Sequence, residues 1–290
     1  MAIKINWQDL LKRFINWQEI VRVYKNGGQI RPETVPPVFD DYLCFTAQQS
    51  NSTVALNRIW SPTAVSLEIS YDKSTWMDYN IWWVVALSNI GDKVYFRNKS
   101  SVATWFSLNW TSLYNFSIQW IVWASWEVNS LLSKNWTDTL VSGYCFYELF
   151  SGTPITTPPK LSATTLTASC YSGMFRGCPL LTTPPSLPAT VLPQTCYDKM
   201  FWICPSLNTL PLIPATTFWK YCCDNMFFYD TLIKLSETQT WEYQTPYRIP
   251  VSWTWTVDGD SLIGMFGETW WTFKGTPSIN TTYYTSNQVI

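Results

Sequence analysis

Apolar and polar residues alternate in the first half of the chain, between about residues 36 and 126. The alternation is clearest over residues 65–70 and 93–98, and turn-forming residues, such as those at 89–92, separate the alternating runs. A period of two places successive side chains on opposite faces of a β-strand. Short strands at this spacing predict a β-sandwich over residues 34–126.

The second half has a different period. After residues 188–190 the apolar positions recur every three to four residues, which predicts one face of a helix with Thr190 as its N-cap. Residues 180–184 are short, β-branched and closed by prolines, which predicts one brief strand. The apolar positions of this unit are Leu192, Cys196, Tyr197, Met200, Phe201 and Cys204.

These units repeat. The hexapeptide 170–175 recurs at 196–201 and 222–227, and more loosely at 145–150, so the period is 26 residues with one deletion in the first interval. One helix and one strand cannot bury their own apolar face, so neighbouring units are predicted to stack. The predicted core rows are Cys145, Phe150, Cys170, Met174, Phe175, Cys196, Met200, Phe201, Cys222, Met226 and Phe227.

The run Met-Phe-x-x-Cys-x-x-Leu-x-x-x-Pro-x-Leu-Pro-Ala-Thr-x-Leu-x-x-x-Cys-Tyr resembles the BspA-like leucine-rich repeats. Those repeats occur in surface proteins of gut and oral bacteria and in proteins of their phages. The resemblance covers residues 127–236 and, more loosely, 240–290. It implies adhesion or partner binding without catalysis, and it transfers no specific binding residues.

The predicted fold class is therefore mixed. An N-terminal β-sandwich precedes an α/β leucine-rich-repeat solenoid of about four 26-residue coils and a degenerate C-terminal cap. Residues 1–33 form an N-terminal segment with a predicted hairpin for docking or assembly. The repeats occupy 127–236, beginning with a predicted helix at 127–132, and a degenerate repeat with the cap occupies 237–290.

Composition excludes several classes of function. The net charge is −1 and no basic run occurs, which argues against nucleic acid as a partner. No apolar stretch is long enough to span a membrane. The chain has no histidine, which removes the usual nucleophile and zinc arrangements, so no catalytic residue, metal ligand or cofactor is predicted. Residues 258–260 are interpreted as a turn, and the cysteines as reduced and buried.

Tryptophan is unusually frequent, with 19 residues against 11 glycines. Many tryptophans stand where turn chemistry favours glycine, as in the Asn-Trp pairs at 109–110 and 135–136. Two interpretations compete. Either a gene that uses UGA for glycine, an alternative genetic code, has been read with UGA as tryptophan, or the side chains decorate the surface and stack on sugars.

Two function classes follow from the resemblance. The first is a non-enzymatic phage virion protein, tail- or fibre-associated, that binds a host-surface protein or glycan and other virion proteins. The alternative is a bacterial cell-surface adhesin, and a polysaccharide-active enzyme ranks third. Residues 1–6 do not resemble a Sec signal, which favours the virion. A homo-oligomer is compatible with a fibre, although no heptad repeat supports trimerisation.

Overall fold

The computed structural model describes residues 23–25, 28–30, 42–60, 65–107, 109–135, 137–140, 142–249, 256–269, 273 and 275–290. The chain forms two compact units, Met1–Val38 and Phe39–Ile290. In the smaller unit, strand β1 (Val23–Lys25) pairs antiparallel with β2 (Gly28–Ile30), which confirms the predicted hairpin. The rest of the predicted N-terminal segment lies outside the described residues.

The first part of the larger unit consists of two antiparallel sheets. Its strands are β3 (Leu43–Ala47), β4 (Ser52–Ile59), β5 (Leu67–Ser70), β6 (Met77–Tyr79), β7 (Val85–Leu87), β8 (Lys93–Asn98), β9 (Leu113–Gln119) and β10 (Val122–Ser125). One sheet has the order β10-β3-β8-β5-β6 and the other has the order β7-β4-β9. The strands predicted at 65–70 and 93–98 are confirmed as β5 and β8.

The two sheets pack through aromatic rings. Phe45 on β3 and Phe96 on β8 both contact Phe116 on β9 of the other sheet, with ring centroids 4.8 and 5.5 Å apart. Alternation in the sequence produces this arrangement, because every second side chain of a strand faces inward. The inward positions of β3 and β8 are fully buried.

The second part contains only short strands. They are β11 (Val191–Leu192), β12 (Thr209–Leu210), β13 (Thr217–Phe218), β14 (Leu235–Ser236), β15 (Thr245–Arg248), β16 (Thr256–Val257), β17 (Thr282–Thr285) and β18 (Gln288–Val289). Strands β11, β13 and β16 pair in parallel, as do β12 and β18, whereas β14, β17 and β15 pair antiparallel. The C-terminal strand thus returns to pair with a strand near the middle of the chain.

The predicted α/β leucine-rich-repeat solenoid is wrong as a fold class. The described residues contain no α-helix; a 3-10 helix of four residues, Val128–Leu131, stands where a helix was predicted at 127–132. The helix predicted after Thr190 is replaced by β11 and tight turns, and residues 180–184 form no strand. The architecture is nearly all-β, with small separate sheets.

The hydrogen bonds explain why no α-helix forms. An α-helix needs each N–H to bond to the carbonyl four residues earlier. Here Leu149 N–H donates to Phe146 O, three residues earlier, at 3.2 Å. Phe146 N–H itself donates to Cys170 O in the next repeat, at 2.8 Å. Local and inter-repeat bonds alternate in this way, so every second amide N–H donates to a carbonyl of the neighbouring repeat.

Five such segments stack, and we call them the turn ladder. Its rungs are residues 144–153, 169–178, 195–204, 221–230 and 260–269. Backbone φ is positive at every fourth residue of a rung, namely at Tyr144, Glu148, Gly152, Ser169, Gly173, Gly177, Thr195, Lys199, Ile203, Tyr221, Asn225, Tyr229, Gly264 and Glu268. The apolar pairs follow the same four-residue spacing, which is close enough to 3.6 to imitate a helix.

One row of rings joins the sheets to the turn ladder. Neighbouring centroids lie 5.3 to 5.7 Å apart and the planes are nearly parallel. The row consists of Phe116, Phe150, Phe175, Phe201, Phe227 and Phe266. Phe116 N–H also donates to Leu149 O at 2.8 Å. A single hydrophobic core therefore runs from β9 to the last rung.

Candidate binding face

The core residues that the repeats single out are all buried. Every one of the eleven cysteine, methionine and phenylalanine positions has almost no exposed surface. The phenylalanines occupy the stacked row, and Met265 and Phe266 take the equivalent places in the last rung. These residues build the fold, and none of them reaches solvent to touch a ligand.

The cysteine thiols are poor candidates for chemistry. All eight are free and buried, and burial raises the pKa of the Cys170 thiol to about 12. Cys178 Sγ donates to Phe150 O at 3.1 Å, and Cys204 Sγ donates to Phe175 O at 3.0 Å. A thiol with a raised pKa holds little thiolate at neutral pH, and the thiolate is the nucleophile.

The described residues offer no metal site and no membrane span. Within those ranges, no three histidine, cysteine, aspartate or glutamate side chains come together as a metal would require. Over the same part of the chain, no helix has the length and apolar character needed to cross a bilayer.

The outward positions of the rungs form a continuous polar and aromatic surface, which we call the ladder face. It comprises Tyr147, Glu148, Arg176, Asp198, Lys199, Trp202, Asp224, Asn225 and Phe228, all partly exposed. The four-residue spacing positions them, because each rung alternates two inward and two outward side chains. The phenylalanine of the stacked row is the same in every rung and the residue before it is Leu or Met, whereas these outward positions differ in charge, size and aromaticity.

Arg176 links three rungs of the ladder face. Its Nη1 lies 3.1 Å from Glu148 Oε1 in the preceding rung. Its guanidinium carbon lies 4.3 Å from the centre of the Trp202 ring in the following rung. Phe228 then approaches Trp202 edge-on, with centroids 6.4 Å apart. The face therefore presents an aromatic and cationic strip bordered by carboxylates.

The carboxylates of the face are electrostatically perturbed. Burial raises the pKa of Asp198 from 3.8 to about 6, and Lys199, whose Nζ lies 3.3 Å from the carboxylate, opposes this shift. Ser172 Oγ also donates to Asp198 Oδ2, at 3.4 Å. Burial likewise raises the pKa of Asp224. The charge of the face therefore changes between about pH 5 and 7.

A second cluster lies on the outer face of the five-stranded sheet. The Arg97 guanidinium carbon lies 3.6 Å from the centre of the Trp76 ring and 5.1 Å from that of Tyr42. Glu68 Oε1 accepts from Arg97 Nε at 2.7 Å. Trp76 Nε1 donates to Lys73 O at 3.0 Å. Here the polar groups satisfy one another, so the cluster stabilises the sheet.

The repeat motif predicts adhesion or partner binding but identifies no binding residue. The outward positions could have been found by aligning the repeats and marking which positions vary within a constant core. The four-residue spacing that places them on one side was interpreted instead as a helix. Comparison of the chain with protein-family models, curated proteins and solved structures found no match in any of the three.

Proposed function

We propose that this chain is a non-enzymatic structural and adhesion protein of a phage virion, tail- or fibre-associated, that binds a host surface. Its partners are a protein or glycan of the host surface and other virion proteins. The observation that carries the proposal is the ladder face, in which variable side chains are held by a core whose stacked phenylalanines repeat in every rung. Such a division lets binding residues change without loss of the fold.

Two further features support binding over catalysis. The ladder face combines an arginine with aromatic rings, and arginine and aromatic residues are enriched where proteins bind other proteins. The thiols, which are the strongest nucleophiles in the chain, are all buried, and burial raises the pKa of Cys170, for example, to about 12. A bacterial cell-surface adhesin is the second candidate. The repeat motif favours it, because the repeats that the motif resembles also occur in bacterial surface proteins.

Location separates the two candidates. Peptides of this chain are sought by mass spectrometry in purified phage particles and, separately, in host-cell envelopes. We expect peptides in the particles. Peptides confined to the envelopes of uninfected cells would overturn the virion proposal in favour of the surface adhesin.

The ladder face is tested by binding of the full chain to host cells. Lys199→Glu reverses a charge on the face, whereas Lys134→Glu makes the same change at an exposed position outside it. We expect Lys199→Glu to weaken binding about tenfold or more. A partner group that complements the lysine would then face a charge of its own sign, and such a juxtaposition costs several kcal/mol. Lys134→Glu should bind as the unchanged chain does. Equal binding by both variants would rule out this face.

A further inference from the structure

The tryptophans behave unlike the other large aromatic residues. Of the 13 phenylalanines in the described residues, 12 are buried. Of the 12 tryptophans there, none is buried and ten are exposed. Tryptophan has one of the largest apolar surfaces to bury. Its exclusion from a core that takes nearly every phenylalanine indicates that most of these side chains take no part in core packing.

Four of the tryptophans have a backbone conformation that is unusual for a bulky residue. Among the described residues outside the turn ladder, seven other than glycine have positive φ; four are tryptophans, and the others are Asn51, Lys73 and Asn280. The values are 58° at Trp60, 78° at Trp82, 68° at Trp120 and 64° at Trp126. Asparagine is enriched in this region, whereas a bulky residue there is a genuine outlier. In the sheet region, glycine takes this role at Gly91, where φ is 90°.

Three of the positions lie at the ends of strands and the fourth lies in a connection between strands. Trp60, Trp120 and Trp126 directly follow the ends of β4, β9 and β10, and Trp82 lies in the connection between β6 and β7. Their exposed fractions are 79%, 49%, 44% and 59% in that order. Within the described part of the chain, the rings of Trp60, Trp82 and Trp120 make no aromatic or cation–ring contact.

We infer that the native protein carries glycine at positions 60, 82, 120 and 126. The codon at each would be UGA, a codon that variant genetic codes reassign to different amino acids, here decoded as glycine and read in the printed sequence as tryptophan. Glycine removes the Cβ that makes positive φ costly, and at positions 60, 82 and 120 it removes an exposed ring without aromatic or cation–ring contacts. At position 126 it also removes a ring whose centre lies 4.9 Å from Lys73 Nζ.

Trp76 provides an internal control, because the same reasoning assigns it as tryptophan. Its φ is not positive, its indole N–H donates to Lys73 O, and its ring packs on Arg97 and edge-on against Tyr42. A glycine there would lose all three contacts. Its codon is therefore UGG.

The inference goes beyond the proposed function and changes where binding is sought. With glycine at the four positions, those four rings cannot contribute to a sugar-stacking surface. Binding is then carried by the ladder face, whose Arg176 and Lys199 do not depend on the reassignment.

Peptide mass spectrometry of the protein from its native source tests the inference directly. We expect glycine at 60, 82, 120 and 126 and tryptophan at 76 in the same sample. Tryptophan at the four positions would overturn it, and glycine at 76 would overturn the geometric criterion that separates the two groups.

Recombinant chains test the geometry independently of the source. We expect Trp120→Gly to raise the Tm by several degrees, because it relieves positive φ. Trp123→Gly, at an exposed position within β10, should lower the Tm or leave it unchanged, because glycine weakens a strand interior. A Tm that falls in Trp120→Gly as far as in Trp123→Gly would contradict the assignment.

Discussion

The paired sheets and the turn ladder both bury a hydrophobic core, but their backbones are hydrogen-bonded in different ways. In the sheets, β4 and β9 pair continuously over seven residues, from Thr53 opposite Gln119 to Ile59 opposite Leu113. The rungs of the ladder contain no strand, and every second amide of each of the first four rungs bonds to the next rung. Both regions nevertheless surround one row of stacked phenylalanine rings.

The difference shows what repetition permits. Ten residues other than glycine adopt positive φ in the ladder, among them Thr195 and Ile203, which are β-branched. Nine of them donate their amide N–H to the next rung, so the cost of roughly 1–2 kcal/mol per residue is offset by bonds that the geometry itself aligns. A single turn between strands has no such neighbours, and glycine is the natural residue there.

Deleting a ring from the centre of the ladder should have the largest effect. We expect Phe201→Ala to lower the free energy of unfolding by about 3–5 kcal/mol, because it opens a cavity between Phe175 and Phe227. Phe228→Ala, at a partly exposed position in the next rung, is the matched control and should cost clearly less. Urea unfolding measures both, and equal losses would mean that the stacked row contributes little.

One aspartate in each region should make the stability of the fold depend on pH, and the two dependences should have opposite signs. The pKa of Asp198 in the ladder is about 6 when folded and about 3.9 when unfolded. The folded state therefore binds this proton more tightly, and stability falls as the pH rises from about 4 to about 6. We expect Asp198→Asn to raise the free energy of unfolding by about 2 kcal/mol at pH 7 and to leave it unchanged near pH 4.

Asp72 in the sheet region is the control of opposite sign. Backbone N–H groups of Thr75 and Ser74 donate to its Oδ1 at 2.8 Å, and these bonds hold its pKa well below the usual range. Its contribution is present above about pH 4 and lost as the pH falls below that value. Asp72→Asn should thus destabilise at pH 7, and the same sign for both variants would refute the electrostatic assignment.

Alanine substitutions at two glycines with positive φ separate the cost of backbone strain from the cost of a steric clash with a neighbouring side chain. A Cβ on Gly173 in the ladder would lie 2.9 Å from Glu148 Cγ, whereas one on Gly91 in the sheet region would meet no atom within 4 Å. We expect Gly91→Ala to cost about 1 kcal/mol from φ alone and Gly173→Ala to cost somewhat more. Thermal unfolding compares them. Alanine at position 148 has no Cγ, so the extra cost should vanish in the Glu148→Ala background. If the extra cost persists there, the contact between residue 173 and Glu148 is not its cause.

The two arginine–aromatic clusters should give the smallest effects. Arg97 and Glu68 in the sheet region are more buried than Arg176 and Glu148 on the ladder face. We expect Arg97→Ala to cost about 1–2 kcal/mol and Arg176→Ala below about 1 kcal/mol, because exposed ion pairs contribute little. Chemical unfolding of the two variants at equal salt measures this. A larger loss at Arg176 would mark it as a folding residue and weaken the case for a binding role.

How far the sequence predicts this fold differs between the two regions. Period-two alternation located β5 and β8 because strand geometry maps directly onto it. The repeats located the buried rows, including Phe175 and Phe201, because identical positions in stacked units meet identical surroundings. The helix prediction failed because apolar pairs spaced by four satisfy a helical period and a turn ladder alike. Only the inter-rung hydrogen bonds distinguish them; these join residues 24 or 25 apart within the first four rungs and 38 or 39 apart at the last rung.

Native-state hydrogen exchange tests the central claim most directly, namely that the sheets and the turn ladder form one cooperative body around a shared core. The account predicts that the amides of Phe175 and Phe201, which bond between rungs, exchange with the same free energy of opening as the core amides of β3 and β8. Ladder amides that exchange while β3 and β8 stay protected would show two independent bodies and contradict the account.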